Sequence, residues 1–418
     1  MCWRVCWVLF EQHKCNNDFL DSINNGTVTG SGHYVGGFVG RISNNTNMAT
    51  SISNSMNNGN VTGSGNYVGG FVGFILSSTN MTVSISNSIT CGNVTGVNYV
   101  GGYAGYIGHS SVISIFISNS VANSSVKGNN YIGGFIGDCA SNKDMTIIIS
   151  ISLSHSTIQG IYFVGEFIGC IESNTDIITT ILNSINQGNP VGNWYVGGFV
   201  GIVHHNKHMN MTISNSANNG DIIGVGLVGG FTGGIVSLQS HSISFIIINT
   251  ANNGSISATN GIACGLFCLE SENSNVNTTV LNSINKGNVN ATESAYGITT
   301  FITKVRNVVS MGDVTGSSGS SSFWNTSKDV NLFFGLENKC NSCQNEATLF
   351  HKNISTGFYE TMKNNEHIND LLNDEAVNQH FGMMWTSELE LVEKVNLAIS
   401  VSGLLEAYLV VESGTKLN

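Results

Sequence analysis

The chain has 418 residues, enough for two or three ordinary domains, yet its composition is far from that of an average globular protein. It contains 50 glycines and one proline, and only 10% of its residues are charged. The formal net charge of −11, with 15 lysines and arginines in all, argues against nucleic-acid binding, because a phosphate-binding surface needs clustered basic side chains. No run of about 20 uncharged apolar residues is present to span a bilayer, so we expect no integral membrane segment.

The N-terminal segment, residues 1–17, contains the apolar stretch WRVCWVLF. An arginine lies inside this stretch, and Glu11 and His13 follow it, which makes a poor secretory signal. The stretch falls one period before a glycine-rich phrase, YVGGFVG, at residues 34–40. We therefore predict that the chain begins inside a repeat and that residues 1–17 are a truncated or degenerate copy of it.

Residues 18–316 form an internal repeat built on this phrase. YVGGFVG returns six times in the same or a closely similar form and then fades into CGLFCL at 264–269. Its first glycine stands at positions 36, 69, 101, 133, 165, 197 and 229, so the phrase recurs at an almost constant interval. A dinucleotide-binding glycine loop would occur once, open a helix and precede an acidic residue, and none of these conditions is met. The period instead predicts a solenoid of stacked units.

Aligning the periods gives columns of like residues. An aliphatic column contains Val28, Val61, Val94, Val126, Ile158, Pro190, Ile222, Ile256, Val289 and Val314. An aromatic column contains Phe38, Phe71, Tyr103, Phe135, Phe167, Phe199, Phe231 and Phe267. A third, asparagine-rich column contains Asp21, Asn54, Asn87, Asn119, Ile151, Asn183, Asn215, Asn249, Asn282 and Asn307.

These columns predict an all-β fold, a parallel β-solenoid (β-helix) of about ten 32-residue coils. Like side chains touch in such a fold because neighbouring strands lie about 4.8 Å apart. We expect the aliphatic and aromatic columns to fill the interior, and the third column to be a buried stack of asparagines whose amides bond from coil to coil. Glycines should lie where the chain bends or packs backbone against backbone. Pro190 should break the strand ladder locally, because it has no N–H to donate.

The pattern ISNS-x-N-x-G-x-V-x-G, followed by YVGGFVG, resembles the GLUG-motif repeat family. This repeat occurs in large adhesin-like surface proteins and in the repeat regions of some IgA-specific metallo-endopeptidases. The resemblance implies a β-solenoid that is exposed on a cell surface and whose ligand is unknown. The peptidase signature His-Glu-x-x-His is absent from this sequence, so the resemblance does not extend to protease activity.

Acidic residues within the repeats are the candidates for catalysis. Glu166, Glu172 and Asp176 belong to one coil, and Asp138 and Asp144 to the coil before it. Carboxylates from neighbouring coils can act as acid and nucleophile on a polysaccharide, but solvated surface acids of an acidic protein explain the same pattern. We predict no catalytic residue.

Two further clusters resemble metal sites. The sequence HHNKH brings together His204, His205 and His208, but no carboxylate or cysteine lies near them in sequence. Cys340 and Cys343 have ligand spacing but lack a second pair, so a disulfide or two free thiols is the preferred interpretation. The ten cysteines do not follow the period, so at most a few disulfides are expected. We predict no metal and no cofactor.

Residues 317–418 differ from the repeats. GSSGSSS at 316–322 is typical of a flexible joint, and 360–381 has apolar residues at loosely helical spacing. We predict a linker followed by a small mixed α/β cap over the open end of the solenoid, with a separate small domain as the alternative.

The sequence predicts a non-enzymatic repeat protein, an adhesin-like or interaction scaffold located extracellularly or at the cell surface. Its ligand, a protein or a glycan, would bind a lateral strip formed by the segments between FVG and ISNS, such as RISNNTNMAT and IVHHNKHMN, which vary between repeats. The alternatives are a carbohydrate-active β-solenoid enzyme and a purely structural spacer.

Overall fold

The computed structural model describes residues 7–10, 17–237, 242–270, 276–310, 312–317, 319–330 and 333–335. These residues form a parallel β-solenoid of about nine turns and contain no helix. The fold class predicted from the periodic columns is therefore confirmed. The predicted α/β cap, including the helical segment at 360–381, lies outside the described residues.

Most coils contain five strands, and the coil that contains Pro190 lacks the third. In the second coil the five strands are Thr46–Ser53, Met56–Asn57, Val61–Gly63, Val68–Gly69 and Val72–Leu76. Each strand pairs in parallel with the strand at the same place in the neighbouring coils. The third strands form separate small sheets, whereas the other four positions join into one large sheet.

The strand bounds follow the period along the chain. The first strands are Asn17–Leu20, Thr46–Ser53, Thr79–Ser86, Ser111–Ser118, Lys143–Ser150, Thr175–Leu182, Lys207–Ser214, Ile243–Ile248 and Val276–Asn285. The second strands are Ile23–Asn24, Met56–Asn57, Ile89–Thr90, Val121–Ala122, Leu153–Ser154, Ile185–Asn186, Ala217–Asn218 and Ala251–Asn252. The third strands are Val28–Gly30, Val61–Gly63, Val94–Thr95, Ser125–Lys127, Thr157–Gln159, Ile222–Gly224, Ile256–Ala258, Val289–Ala291 and Val314–Gly316.

The remaining strands complete the coils. The fourth strands are Val35–Gly36, Val68–Gly69, Asn98–Gly101, Asn130–Gly133, Phe163–Gly165, Tyr195–Gly197, Leu227–Gly229 and Ile262–Cys264. The fifth strands are Trp7–Phe10, Val39–Ser43, Val72–Leu76, Ala104–Gly108, Ile136–Ala140, Ile168–Glu172, Val200–His204, Thr232–Val236 and Phe267–Leu269. The last strands are Ser294–Ser310, Gly319–Val330 and Phe333–Gly335.

The aromatic column lies in the main hydrophobic core, as predicted. Its rings stack along the axis; Phe135, for example, has its centroid 5.0 Å from that of Phe167 with an interplanar angle of 10°. Tyr103 is the one member of the column with a hydroxyl group, and it is fully buried. That hydroxyl donates to the backbone carbonyls of Ser88 and Val121, at 2.5 and 2.9 Å, so the polar atom is satisfied inside the core.

The aliphatic column belongs to a second, separate core. There it packs against the fourth-strand residues, such as Val68 and Val100. Glycines separate the two cores at the fourth strand, where the backbone turns sharply. A Cβ added at Gly101 would overlap the backbone oxygen of Ala104, so only glycine fits this bend. The glycine phrase that marks the repeat is therefore a structural corner.

Pro190 interrupts the third-strand ladder, as its place in the aliphatic column predicts. The third strands form a sheet of five strands before it and a sheet of four strands after it. Between these sheets Val191 makes single bridges to Gln159 and Ile223. The equivalent residue in the next coil, Ile222, donates its N–H to the following coil, and proline has no N–H to donate.

The asparagine-rich column is not the buried stack that the sequence predicts. Its members from Asp21 to Asn282 lie at a corner between the first and second strands, with φ between 48° and 53°. Asparagine tolerates this left-handed backbone better than most residues, which explains the column. The amides still bond from coil to coil; Asn87, for example, donates to Asn54 at 3.1 Å, but both side chains are exposed. The side chain of Asn307 lies outside the described part.

Ile151 is the residue least suited to this corner column, because its side chain is β-branched and its φ is 49°. It also ends the amide ladder, because the Oδ1 atom of Asn119 in the preceding coil has no hydrogen-bond donor. We expect Ile151→Asn to stabilise the protein by about 1–2 kcal/mol, since it relieves backbone strain and supplies that donor. Thermal denaturation of the two proteins measures the effect. Ile151→Gly relieves the strain without an amide and separates the two causes; no gain from either variant would contradict the prediction.

A buried asparagine ladder does exist, three residues further along the chain. Asn186 donates to Asn218, Asn218 to Asn252 and Asn252 to Asn285, each at 2.6 Å, inside the solenoid. The amide nitrogen of Asn218 also donates to the carbonyl of Gly220 at 3.0 Å, which fixes the turn that follows. The predicted hydrogen bonding of buried asparagines from coil to coil is therefore correct, but it occurs in a different column from the one predicted.

Both ends of the described chain continue the stacking. Trp7–Phe10 pairs in parallel with Val39–Ser43, which is the fifth-strand position of the next coil. Gly319–Val330 pairs in parallel with Ser294–Ser310. Gly319–Val330 is therefore a strand, where a flexible joint was expected at 316–322, because pairing with the preceding coil outweighs the local composition.

Candidate ligand-binding surface

Exposed apolar side chains concentrate around the break at Pro190. Ten large hydrophobic residues of the described chain are exposed, and six of them lie between the start of the third strand and the fourth strand in three consecutive coils. These six are Ile161, Tyr162, Val191, Trp194, Ile223 and Val225. We call them the apolar patch. Trp194 is the most exposed, at 54%, and its ring lies parallel to that of Tyr162, with centroids 6.5 Å apart and an interplanar angle of 10°.

A groove of about 370 Å³ adjoins the apolar patch on the third-strand face. It is lined by Thr95, Gly96, Lys127, Gly128, Asn129, Gln159, Gly160 and Ile161. Thr95, Lys127 and Gln159 are register partners in successive coils, and all three are exposed. The same outward column continues into the patch as Val191 and Ile223. This outward column is therefore apolar only in the coils at and after Pro190, at Val191 and Ile223, and polar in the coils before and after them.

The variable segments form a different lateral row. Each contains the end of a fifth strand, a tight corner and the start of a first strand. Two residues of each corner, three positions apart, are exposed and have a positive φ, between 50° and 58°. The second residues of these pairs are Asn47, Asn80, Val112, Asp144, Asp176 and His208. The row is lateral, as predicted, but it consists mostly of short polar side chains and lies apart from the residues that line the groove.

A polar cluster lies on the fifth strands. It contains Asp138, Cys170, Glu172 and His204 from three consecutive coils. The Nε2 atom of His204 lies 2.7 Å from a carboxylate oxygen of Glu172. Asp138 and Cys170 are fully buried. Burial, and then the Glu172 carboxylate, raise the pKa of Asp138 well above its ordinary value.

An aromatic ladder covers this face of the fifth strands. Tyr34, Tyr67, Tyr99 and Tyr131 stack with centroids 4.5–5.4 Å apart, and each has a positive φ between 56° and 67°. Such backbone angles are uncommon for tyrosine, and they turn each ring back over the strand that follows. Burial raises the pKa of Tyr99 to about 12, with Asp138 as the next cause.

Comparison with known protein families supports the repeat assignment. The family model of the GLUG motif matches residues 31–62. This stretch carries a GLUG motif. It spans one full coil, from the turn before Val35–Gly36 to the third strand at Val61–Gly63. Searches of curated proteins and of solved structures found no match. No helix formed by the described residues is long and apolar enough to cross a membrane.

The acids singled out from the sequence lie in different environments in the solenoid. Asp144 and Asp176 are exposed corner residues. Glu166 is fully buried where other coils have glycine, and the Ser154 hydroxyl donates to its carboxylate at 2.6 Å. Burial raises its pKa to about 8. Only Asp138 and Glu172 approach each other across coils, and their cluster is not part of the groove.

The three histidines of HHNKH do not form one cluster, and only some of the cysteines lie among the described residues. Of the three histidines, only His204 joins the polar cluster; His205 is exposed, and His208 lies 3.1 Å from Asp176 in an exposed pair. Cys264 and Cys268 form a disulfide. Cys340 and Cys343 lie outside the described residues. No local pattern in the sequence signals the pairing of His204 with Glu172, because the two residues are a full period apart and meet only through the register of adjacent coils.

Proposed function

We propose that this GLUG-containing solenoid is a non-enzymatic scaffold, located at the cell surface or outside the cell, which binds an extended polysaccharide through its groove and apolar patch. The observation that carries this proposal is the exposed parallel pair Tyr162 and Trp194 beside the polar groove. Exposed aromatic side chains grouped in this way mark interaction sites.

The chemistry of the face suits a sugar polymer. A pyranose ring has a C–H face, which packs on an aromatic plane, and hydroxyl groups at its edge, which bond to polar side chains. The patch supplies two aromatic planes, and Thr95, Lys127 and Gln159 supply hydrogen-bonding groups in the adjoining coils. Because both sets repeat along the rod axis, a linear polymer can follow the face over several coils.

Two observations support the location and the non-enzymatic character. The Cys264–Cys268 disulfide is a bond that persists in oxidising, extracytoplasmic compartments. A polysaccharide-cleaving enzyme uses a pair of carboxylates at the scissile bond, and the eight described residues that line the groove include no carboxylate. A purely structural spacer would not expose two parallel aromatic rings beside a groove.

We expect the double variant Tyr162→Ala, Trp194→Ala to bind soluble polysaccharides at least about tenfold more weakly than the wild type, because the aromatic planes are lost. Titration calorimetry against a panel of neutral and acidic polysaccharides measures this effect. Ile178→Ala is the matched control, since Ile178 is 50% exposed but lies on a first strand. Equal affinity of the double variant and the control would contradict the proposal, and so would a wild-type protein that binds only protein ligands.

A further inference from the structure

The polar cluster has the donor set of a metal site. Cys170 and Glu172 lie two residues apart in the strand Ile168–Glu172, so their side chains share one face. His204 is the register partner of Glu172 in the next coil. The thiol sulfur, a carboxylate oxygen and a ring nitrogen of these three residues all lie within 4.8 Å of one another. Two adjacent coils therefore bring three different donors to one point.

Asp138 provides a second, independent observation. It is the register partner of Cys170 in the preceding coil, and its side chain is fully buried. Neither of its carboxylate oxygens has a hydrogen-bond partner of good geometry. The Cys170 thiol and the Cys139 N–H lie near this carboxylate. A buried carboxylate in this position is costly, and a bound cation compensates both acids at once.

Aromatic side chains surround the three donor atoms but leave the site partly open to solvent. The ring of Phe163 lies 5.7 Å from that of His204, and Tyr131 lies 5.0 Å from Phe163. An apolar shell of this kind strengthens metal binding by limiting access of water. The side chains of His204 and Glu172 are 15% and 20% exposed, which leaves an entry path for an ion.

We propose that Cys170, Glu172 and His204 bind a divalent first-row transition-metal ion, Zn²⁺ in the native protein, with Asp138 as the buried counter-charge. One thiolate, one imidazole and one carboxylate are the ligand types that Zn²⁺ accepts, and three protein ligands leave a fourth position for water or for Asp138. Binding releases the thiol proton to solvent, because the thiolate is the ligand. This inference stands independently of the polysaccharide proposal.

The test uses Co²⁺ and Zn²⁺ alone as probes on the chelator-treated full chain. We expect one Co²⁺ per chain, a thiolate-to-cobalt charge-transfer band in the near ultraviolet, displacement of that band by one equivalent of Zn²⁺, and a higher melting temperature with metal. Cys170→Ser should abolish the band and weaken binding at least about tenfold. Cys139→Ser is the control, since the neighbouring Cys139 is equally buried but faces the main core.

Several results would overturn the proposal. These are binding below one equivalent at micromolar protein, Co²⁺ binding without the charge-transfer band, or unchanged affinity in Cys170→Ser. His204→Gln provides a second variant that alters a partly exposed residue and leaves the core intact, so circular dichroism can verify its fold before titration. Unchanged affinity in that variant would also refute the assignment.

Discussion

Phe135→Ala is expected to lower the free energy of unfolding by about 3–5 kcal/mol, the range for removing a fully buried phenylalanine. Phe135 is 0% exposed and stacks between Tyr103, at 4.7 Å, and Phe167, at 5.0 Å. Its loss removes the transfer energy of the ring and leaves a cavity, and both neighbouring rings lose a stacking partner. Urea denaturation followed by circular dichroism measures the change.

Phe116→Ala is the matched control for this experiment. Phe116 lies on the first strand Ser111–Ser118 of the same coil, and its side chain is only half-buried on the outer face. We expect it to cost less than about 2 kcal/mol. If both variants lost the same stability, the aromatic column would not be the main interior of the rod, and the stacking account of the fold would be wrong.

Glu166→Gln is expected to stabilise the protein at alkaline pH and to leave it nearly unchanged at pH 4. In the folded protein burial raises the pKa of Glu166 from its ordinary value of 4.5 to about 8. A raised pKa in the folded state means that stability is fully present below pH 4.5 and is lost as the pH rises through 8. The amide of glutamine stays neutral throughout, so the variant escapes this loss.

The expected difference is on the order of a few kcal/mol at pH 9, since one pKa unit corresponds to about 1.4 kcal/mol. Denaturation of both proteins from pH 4 to pH 9 measures it as a difference between the two, so the titration of Asp138, which both share, cancels. The exposed Glu293→Gln is the control. Parallel stability profiles for the wild type and the Glu166→Gln variant would show that Glu166 is not a buried, neutral acid.

The binding proposal and the metal proposal concern different parts of the rod. The groove and the apolar patch lie on and beside the third strands, whereas Cys170 and His204 lie on the fifth strands. A Zn²⁺ ion at the polar cluster would therefore stabilise two coils without touching the proposed sugar-binding face. The two tests can fail separately, which makes each informative.

Repetition made much of the fold predictable from the sequence. A regular period places like residues on top of one another, and apolar columns such as those of Phe71 and Val94 can be buried only inside the stack. The break at Pro190 followed from the same alignment together with one missing N–H. The positions of the asparagine columns were harder to predict from the sequence, because asparagine serves two purposes. It suits an exposed left-handed corner at Asn54 and a buried hydrogen-bonded ladder at Asn218, and the residue type does not distinguish them.

The sequence by itself determined the period, the parallel stacking and the identity of the apolar interior columns, because these depend only on which residues recur at a fixed spacing. The tertiary structure alone decided which outward side chains meet. Tyr162 and Trp194, or Glu172 and His204, lie a full period apart along the chain and become neighbours only when two coils stack in register. The tertiary structure also decides which side chains are exposed to solvent. The repeat places Glu166 in a glycine column, but the packing around it decides that its carboxylate is buried.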